Sequence, residues 1–253
     1  MTLDEMRSKI RHYPFIHKLV RIFISRNIVF KIIKRFRRII SGSDAYIRPT
    51  IKIPNRYFGK IYRGYCVAIE NLNEKSIVYS FGIGRDISFE TELNSNIGCN
   101  ISLFDPSPIA GKWLQNIDLP SSITYYKYAI SDYDGHTYMS QKKGTDNVNY
   151  SLNKNKTGEK VSVRSLSSLM NEFGHKYVDV LKMDVEGEEF VILKDIVKNK
   201  IIVRQVVLEL HHRFEEGSAE LLHNTIQMMS DAGYGLFYVS LDGMDYSFIK
   251  SLK

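Results

Sequence analysis

The stretch from Ile77 to Glu90 constrains the fold of this 253-residue chain more than any other part of it. It reads Ile-Val-Tyr-Ser-Phe-Gly-Ile-Gly-Arg-Asp-Ile-Ser-Phe-Glu. The apolar run predicts a buried strand, the two glycines predict a tight turn, and the residues from about Ser88 predict a helix. A strand, a glycine turn and a helix in this order allow a nucleotide-like ligand to rest against backbone amides.

The remainder of the chain alternates between strand and helix patterns. Apolar runs predict strands at residues 77–81, 101–104, 123–130, 178–183 and 205–210, and a final pair at 236–240 and 246–252. Helical spacing occurs from about residue 88 and at residues 165–173, 188–197 and 216–232, whereas the polar residues 140–160 predict a long loop or a short hairpin. Strands that alternate with helices predict an α/β fold, in which helices cover both faces of a mostly parallel sheet.

The positive charge of the chain is confined to its N-terminal part. Residues 1–40 hold eleven Lys and Arg against two acids, a charge of +9, and residues 41–253 hold the other 24 bases against 26 acids, a charge of −2. A nucleic-acid-binding domain usually carries its positive charge on the folded body, so nucleic acid is disfavoured as a partner. Cys66 and Cys99 show no metal-ligand spacing and are too few for a disulfide framework, which predicts a reducing, cytoplasmic location.

Residues 10–40 combine apolar and basic residues at the spacing of an amphipathic helix. A membrane-spanning helix needs about 20 mostly apolar residues, and no window here reaches that length without a basic residue. Two interpretations stay open: the helix lies peripherally on the anionic inner face of a membrane, or it packs on the main domain or on a second subunit in a homodimer. We therefore divide the chain into a basic helical extension, residues 1–42, and a main domain, residues 43–253.

Polar residues or glycines follow each of five predicted strands. They are Gly82 and Gly84, Asp105, Ser131 and Asp132, Asp184 and Glu186, and Glu209 with His211 and His212. Ligands of open α/β sheets bind beyond the carboxyl ends of the strands, so these residues predict the site. Ile87 occupies the place of the third glycine of a dinucleotide fingerprint, which argues against a pyrophosphate, while Asp105 lies at the spacing at which an acid meets ribose hydroxyls. A ligand with a ribose but no phosphate, such as S-adenosylmethionine, fits both observations.

Five segments, in chain order, resemble the FkbM-type methyltransferases and their methyltransferase-like relatives. They are Tyr-Ser-Phe-Gly-Ile-Gly-Arg-Asp-Ile-Ser-Phe-Glu, Phe-Asp-Pro-Ser, Ala-Ile-Ser-Asp, Leu-Lys-Met-Asp-Val-Glu-Gly-Glu-Glu and Leu-Glu-Leu-His-His. The resemblance covers residues 60 to 240 approximately, and its most specific element is residues 182–189. Many members carry an asparagine soon after the glycine turn, where this chain has Arg85-Asp86.

The resemblance implies a Rossmann-like class I methyltransferase fold with a mostly parallel seven-stranded sheet, next to the N-terminal amphipathic helical segment. It also implies S-adenosyl-L-methionine as the cofactor, held by Phe81, Gly82, Ile83, Gly84, Asp86, Asp105, Pro106, Ser107, Ala129, Ile130 and Ser131. Family members commonly methylate hydroxyl groups of sugars, glycolipids or natural products, so we expect an O-methyltransferase with a small-molecule or glycan acceptor. The alternative is a scaffold protein that binds the cofactor without catalysing transfer.

Methylation of a hydroxyl requires removal of its proton, and the catalytic candidates are Asp184, Glu186, His211 and Lys182. Histidine titrates near neutral pH, and strand alternation puts His211 on the face of Glu209, so His211 is a candidate base. One hypothesis is that Asp184, Glu209 and His211 bind Mg²⁺ or Mn²⁺. The other has no metal: Asp184 and Glu186 bind substrate hydroxyls or orient Lys182, which pairs with a carboxylate. His212, on the opposite face, is expected to be a packing residue.

Overall fold

The computed structural model of the chain describes residues 29–61, 63–141, 150–153, 157–214 and 218–251. The strands are β1 (Arg56–Phe58), β2 (Tyr65–Val67), β3 (Ile77–Phe81), β4 (Asn100–Phe104), β5 (Ile123–Tyr126), β6 (Ala129–Ser131), β7 (Gly135–Gln141), β8 (Tyr150–Asn153), β9 (Glu159–Ser165), β10 (Val178–Met183), β11 (Val203–Glu209), β12 (Tyr234–Val239) and β13 (Asp245–Lys250). The helices are the basic helix (residues 29–40), α1 (Ser88–Ile97), α2 (Pro108–Leu114), α3 (Leu166–Glu172), α4 (Glu189–Lys198) and α5 (Ser218–Asp231), with a 3₁₀ turn at His212–Phe214.

The main sheet has seven strands in the order β12-β13-β11-β10-β3-β4-β5. Its pairs from β11 to β5 are parallel, and β13 runs antiparallel to both of its neighbours. The chain builds outward from β3 to β5 and then returns to place β10 on the other side of β3. The strand order therefore reverses between β3 and β10, the place where open α/β sheets bind their ligands. The predicted fold, a mostly parallel seven-stranded sheet of the class I methyltransferase type, is confirmed.

Two buried clusters of apolar side chains cover the two faces of this sheet. Tyr79 and Phe81 of β3 belong to the cluster that includes α3, α4 and α5, whereas Val78 belongs to the cluster that includes α1 and α2. The same alternation divides Leu181 from Val180 in β10. Neighbouring residues of a strand point to opposite faces, so an uninterrupted apolar run is what a strand buried on both faces requires.

Some of the predicted elements differ from the structure. The predicted strand 123–130 is two strands, β5 and β6, which lie in different sheets. The reason is that the chain leaves the main sheet at residues 127–128 without any glycine or proline that the sequence could show. Of the two alternatives for residues 140–160, the structure agrees with the short hairpin: β7 and β8 pair antiparallel and, with β6 and β9, build a second, four-stranded sheet that was not predicted. The pair β1 and β2 was not predicted, because three-residue strands are too short to leave a periodic pattern.

The basic helix contacts the domain through polar side chains. Lys31 Nζ lies 2.6 Å from Asp242 Oδ2, and Arg35 Nη1 donates to the Ser240 carbonyl oxygen at 3.0 Å. The helix ends after Ile40, and Gly42 follows with a φ of +74°. The first 28 residues of the predicted extension 1–42 lie outside the described residues, and the domain division stays a prediction. None of the described helices has both the length and the hydropathy that spanning a bilayer would need.

A buried carboxylate ties the segment after this helix to the end of β11. Asp44 accepts hydrogen bonds from His212 Nε2 at 3.1 Å and from Arg213 Nε at 3.0 Å. Burial alone would raise the pKa of Asp44, but the hydrogen bonds from His212 and Arg213 outweigh it and lower that pKa below its ordinary value. His212 is fully buried in this network, in agreement with its predicted packing role.

Gly82 allows the ends of β3 and β10 to approach each other closely. Its φ is +74°, and a Cβ at this position would lie 1.7 Å from the Asp184 carbonyl oxygen. The backbone is held there by bonds from Asp184 N to the Phe81 oxygen, 3.1 Å, and from Gly82 N to the Phe104 oxygen, 3.0 Å. Only glycine satisfies both the dihedral angle and the space.

We expect Gly82→Ala to lower the free energy of unfolding by more than about 3 kcal/mol, because both a strained φ and a backbone overlap must be relieved. The matched control is Gly174→Ala, since Gly174 has a φ of +71° but a Cβ added there would meet nothing within 4 Å. The control should cost about 1–2 kcal/mol from the dihedral angle alone. Urea unfolding of both variants measures the difference, and equal losses would show that the overlap with Asp184 is not decisive.

Candidate active site

A cavity of about 540 Å³ opens at the carboxyl ends of β3, β4, β10 and β11. Its volume lies in the range of small-molecule sites, about 300–1,000 Å³. Most of the residues predicted to bind the cofactor or to act in catalysis line it, namely Phe81, Gly82, Ile83, Gly84, Asp86, Asp105, Pro106, Ser107, Ala129, Ile130, Lys182, Asp184, Glu186, Glu209 and His211. Ser131 is the exception: it is not among the lining residues, and its hydroxyl donates to Glu188 Oε2 at 2.7 Å.

The carboxylate of Asp105 holds the glycine turn. Its Oδ2 accepts the backbone N–H groups of Ile83 at 3.1 Å and Gly84 at 2.9 Å, and its Oδ1 accepts that of Ser107 at 2.8 Å. Because the amides of residues 83 and 84 are directed at a carboxylate of their own chain, they are not available to an anion. The turn therefore lacks the phosphate cradle of a dinucleotide site, which agrees with Ile87 in the place of a third glycine.

Asp86 lies two residues before the start of α1. Its Oδ1 accepts the Ser88 backbone N–H at 3.0 Å, and Lys60 Nζ lies 3.2 Å from both carboxylate oxygens. Burial would raise the pKa of Asp86, but the bonds from Ser88 and Lys60 more than offset it, and the pKa is lowered. Asp86 thus lines the cavity while its carboxylate already accepts hydrogen bonds from Ser88 and Lys60. A contact of Asp86 with a cofactor would add to these bonds.

One wall of the cavity comes from the second sheet. Tyr128, Ala129 and Ile130 reach it from the segment around β6, and Met139, Tyr150 and Leu152 from the β7–β8 hairpin. These side chains are predominantly apolar or aromatic, as expected for a wall against which a planar ring packs. Of this wall only Ala129 and Ile130 were predicted from the sequence, because the polar composition of residues 140–160 allowed a short hairpin but gave no sign that it lines the site.

Lys182 is buried beneath the glycine turn. Its Nζ donates to the Gly82 carbonyl oxygen at 2.6 Å and to that of Phe81 at 3.3 Å, and it lies 5.7 Å from the ring centre of Tyr65. Among the described residues it forms no ion pair with a carboxylate within 4.0 Å, so the expected pairing with an acid is replaced by bonds to two carbonyls. An ammonium group occupied in this way is suited to fixing the turn, not to taking a proton.

His211 is held by a buried carboxylate that the sequence analysis missed. Its Nδ1 donates to Glu189 Oε1 at 2.9 Å, which leaves Nε2 at 3.6 Å from Glu186 Oε2 and 3.9 Å from Asp184 Oδ1. Glu189 is fully buried and also accepts the backbone N–H groups of Val185 at 2.9 Å and Gly187 at 3.0 Å. The expected neighbourhood of Asp184, Glu186 and His211 is therefore present, and Glu189 fixes the orientation of the imidazole.

The charges around His211 raise its pKa. Burial alone would lower the pKa of His211, but the hydrogen bond to Glu189 and the negative charges of Glu189, Asp184 and Glu209 outweigh it, and the pKa is about 9. At neutral pH the ring is then an imidazolium, a donor of hydrogen bonds. The role of base predicted for His211 rested on a pKa near neutrality. The carboxylates that enclose the ring raise this pKa and favour the protonated form instead.

Three carboxylates at this end of the cavity, Glu209, Asp184 and Asp245, have raised pKa values. Burial, reinforced by the charge of Asp184, raises the pKa of Glu209 to about 7. Burial also raises the pKa of Asp184, although Lys182 and His211 oppose the shift, and it raises that of Asp245 well above the ordinary value, with Glu209 adding to it. We refer to Asp184, Glu186, Glu209 and Asp245 as the acidic end of the cavity.

The group of possible metal ligands differs from the predicted one. Asp184, Glu186 and His211 each offer an atom, and these atoms lie within 4.8 Å of one another, whereas Glu209 is not part of the group. Glu186 takes this place because it adopts a φ of +58°, in the left-handed region, which turns the chain back after β10. The predicted set Asp184, Glu209 and His211 is therefore corrected to one with Glu186, and the geometry by itself does not require a metal.

Three further residues of the site had weak signals in the sequence. Tyr65 lines the cavity from β2, and Asp245 lines it from the start of β13. Glu189 has the clearest signal of the three, since it lies in the acidic segment Asp-Val-Glu-Gly-Glu-Glu. This segment follows the end of the strand, so alternation could not show which of its acids points inward. Its burial follows from the tertiary contact with His211, 22 residues further along the chain.

Residues 36–236 match the family described as the methyltransferase FkbM domain. The chain belongs to this family. It is also similar to the probable methyltransferase-like protein 24 of Homo sapiens, at 29% identity over 142 residues, and to that of Rattus norvegicus, at 29% over 137 residues. These alignments cover 55% and 53% of this chain but 33% and 32% of the relatives, so the match spans about a third of their length. The family resemblance seen in the sequence is confirmed.

Solved structures of similar topology share little sequence with the chain. Fibrillarin of Methanococcus jannaschii has a TM-score of 0.44 and 12% identity over 72% of this chain and 69% of its own. Aeropyrum pernix fibrillarin, solved with S-adenosyl-L-methionine, has a TM-score of 0.40 and 12% identity over 82% and 85%. Human N-acetylserotonin methyltransferase has 0.36 and 10% over 72% and 49%. With TM-scores below 0.5 and identities of 10–12%, these three structures do not identify any residue of the site.

We expect Glu189→Gln to lower the pKa of His211 from about 9 towards the ordinary value of about 6.5, because the partner that stabilises the imidazolium loses its charge. Titration of the His211 ring protons by NMR measures this pKa. Glu220→Gln, on the exposed side of α5, is the control and should leave it unchanged. A His211 pKa that stays near 9 in Glu189→Gln would contradict the role assigned to this carboxylate.

Proposed function

We propose that the chain is an S-adenosylmethionine-dependent O-methyltransferase whose acceptor is a hydroxyl group of a sugar, glycan or glycolipid. Membership of the FkbM methyltransferase domain family supports the reaction class. The observation that carries the proposal is the division of one cavity into two ends. The glycine turn and an apolar wall form one end, and the carboxylates around His211 form the other.

The residues of the first end suit the methyl donor. The cofactor supplies a methyl group that is already electrophilic. Tyr128 and Ile130 offer an apolar surface for a planar base, Asp105 lies at the edge of the turn where ribose hydroxyls would bind, and the turn offers no phosphate cradle. Asp105 already accepts three backbone N–H groups, and a carboxylate has about four acceptor sites, so it retains capacity for one hydroxyl.

The acidic end favours an acceptor rich in hydroxyl groups. Carboxylates accept hydrogen bonds from hydroxyls, whereas a phosphate or carboxylate on the acceptor would be repelled by Asp184, Glu186 and Glu209. The same negative charge attracts the cationic sulfonium of the donor. A neutral sugar or polyol next to a cationic donor is therefore the pair of ligands that fits this cavity best, and an anionic acceptor fits it poorly.

Glu209 is the residue that we assign to proton removal. A general base is most effective when its pKa lies near the working pH, and the Glu209 pKa of about 7 meets that condition, while His211 stays protonated. Glu209 lines the cavity and is only half-buried, so an acceptor can reach it. His211 then acts as a charged donor that stabilises the carboxylates near it, held in that orientation by Glu189.

A divalent cation is the competing account of the acidic end. Asp184, Glu186 and His211 offer two carboxylates and one imidazole, a set that Mn²⁺ or Mg²⁺ accepts, and a cation there would lower the pKa of an acceptor hydroxyl. Since a ligating histidine must be neutral, a cation at this place would have to displace the proton that the surrounding carboxylates hold on His211. Activity that is abolished by EDTA and restored by Mg²⁺ or Mn²⁺ would replace Glu209 with a metal as the activating group.

We expect isothermal titration calorimetry to show binding of S-adenosylmethionine to the wild-type chain. Asp105→Ala should weaken this binding about 10–100-fold, because the turn loses its acceptor and the ribose loses a charged hydrogen bond. Asp118→Ala, an exposed aspartate after α2, is the matched control and should bind like the wild type. A folded wild-type chain that does not bind the cofactor would overturn the proposed function.

We expect Glu209→Gln to reduce kcat at least about 100-fold on a hydroxylated acceptor while cofactor binding is retained, because only the proton transfer is removed. In the wild type kcat/KM should fall as the pH drops below about 7, since the base must be deprotonated. Glu70→Gln, at an exposed position, is the control. Glycan acceptors can be screened by mass spectrometry, and cofactor binding without transfer to any of them would favour the non-catalytic scaffold.

A further inference from the structure

The basic helix, residues 29–40, presents its apolar side chains away from the domain. Its less exposed residues are Lys31, Arg35, Arg38 and Ile39, three of which are basic. On the opposite side Val29, Ile33, Phe36 and Ile40 follow the i, i+4, i+7, i+11 spacing of one helical face, and we refer to them as the apolar stripe. Phe36 is 61% exposed and Ile40 is 71% exposed. This is the reverse of a helix that packs on its domain through an apolar face.

The polar side of the helix is fixed by contacts with one loop of the domain. Lys31 pairs with Asp242, and Arg35 donates to the carbonyl oxygens of Ser240 and Leu241. The same loop contributes Met244 to the lining of the cavity. The outward direction of the apolar stripe is therefore set by contacts of the polar face, and this face joins the helix to the loop that borders the acidic end.

We propose that the apolar stripe and the exposed basic residues beside it bind an anionic lipid surface. Lys34 and Arg37, three residues apart, are both exposed along one margin of the stripe, so apolar side chains could enter the acyl boundary while these cations meet lipid phosphates. Each basic residue near an anionic membrane strengthens binding about fivefold. This is the peripheral interpretation of the sequence analysis, now assigned to one face of the described helix.

Charge complementarity selects a lipid surface over a second copy of the chain. Residues 29–40 contain five basic residues and no acidic one. In a two-fold contact through the stripe the two helices would bring like charges together, and neither helix could supply a carboxylate to offset them. A bilayer with anionic headgroups supplies both the apolar interior and the negative charge.

Sedimentation of the full chain with lipid vesicles tests the proposal. We expect binding to phosphatidylcholine vesicles that contain about one quarter phosphatidylglycerol, weakening as salt is added, and little binding to phosphatidylcholine alone. The double variant Ile33→Ser/Phe36→Ser should lower the partition coefficient at least about tenfold, because two apolar side chains no longer enter the bilayer. Lys34→Gln/Arg37→Gln should lower it by about 25-fold, fivefold for each cation, on the anionic vesicles only.

The control is the double variant Ile117→Ser/Ile202→Ser, which removes two exposed isoleucines outside the stripe and should bind vesicles like the wild type. Thermal unfolding and light scattering accompany each variant. Absence of wild-type binding to anionic vesicles, or equal loss in the control, would overturn the proposal. So would a wild-type dimer that Ile33→Ser/Phe36→Ser converts to a monomer without any change in vesicle binding. None of these results depends on methyl transfer, so they are independent of the proposed function.

Discussion

The buried carboxylate of Glu189 joins the parts of the site that lie far apart in the chain. It accepts the backbone N–H groups of Val185 and Gly187, which closes the turn after β10, and it accepts Nδ1 of His211 at the end of β11. A buried charge is tolerated only when it is paired and fully hydrogen-bonded, and here both conditions are met. The turn, the start of α4 and the imidazole are therefore fixed relative to one another by one side chain.

The electrostatics of the cavity follow from this arrangement. His211 is charged because carboxylates surround it, and burial, reinforced by the charge of Asp184, raises the pKa of Glu209 to about 7. Lys182, which is also buried in this region, is directed at the carbonyls of Phe81 and Gly82. One part of the site is thus a glycine turn held by Lys182 and Asp105. The other part is a group of carboxylates around the imidazolium of His211.

Much of this fold could be predicted because its main strands are buried on both faces. The apolar runs 77–81 and 178–183 coincide with β3 and β10, and each is followed by polar residues that line the cavity. Short strands such as β1 and β2 could not be predicted, because three residues leave no period. The pairing of β7 with β8 agrees with the short hairpin that was one of two alternatives for residues 140–160, but the polar composition there could not show that it joins a second sheet. The break between β5 and β6 was missed for a related reason, since tyrosines continue the strand pattern across it.

Taken alone, the sequence determined the reaction family, the strand ends that form the site, and the absence of a third glycine, because these depend on residue type and local spacing. Only the tertiary structure decided how the charged groups act. It turned Lys182 towards carbonyls, buried Glu189 against His211, and placed Glu186 in the group that Glu209 was expected to complete. The pKa of a side chain depends on the charges and the solvent within a few ångströms, and residues distant in sequence supply both.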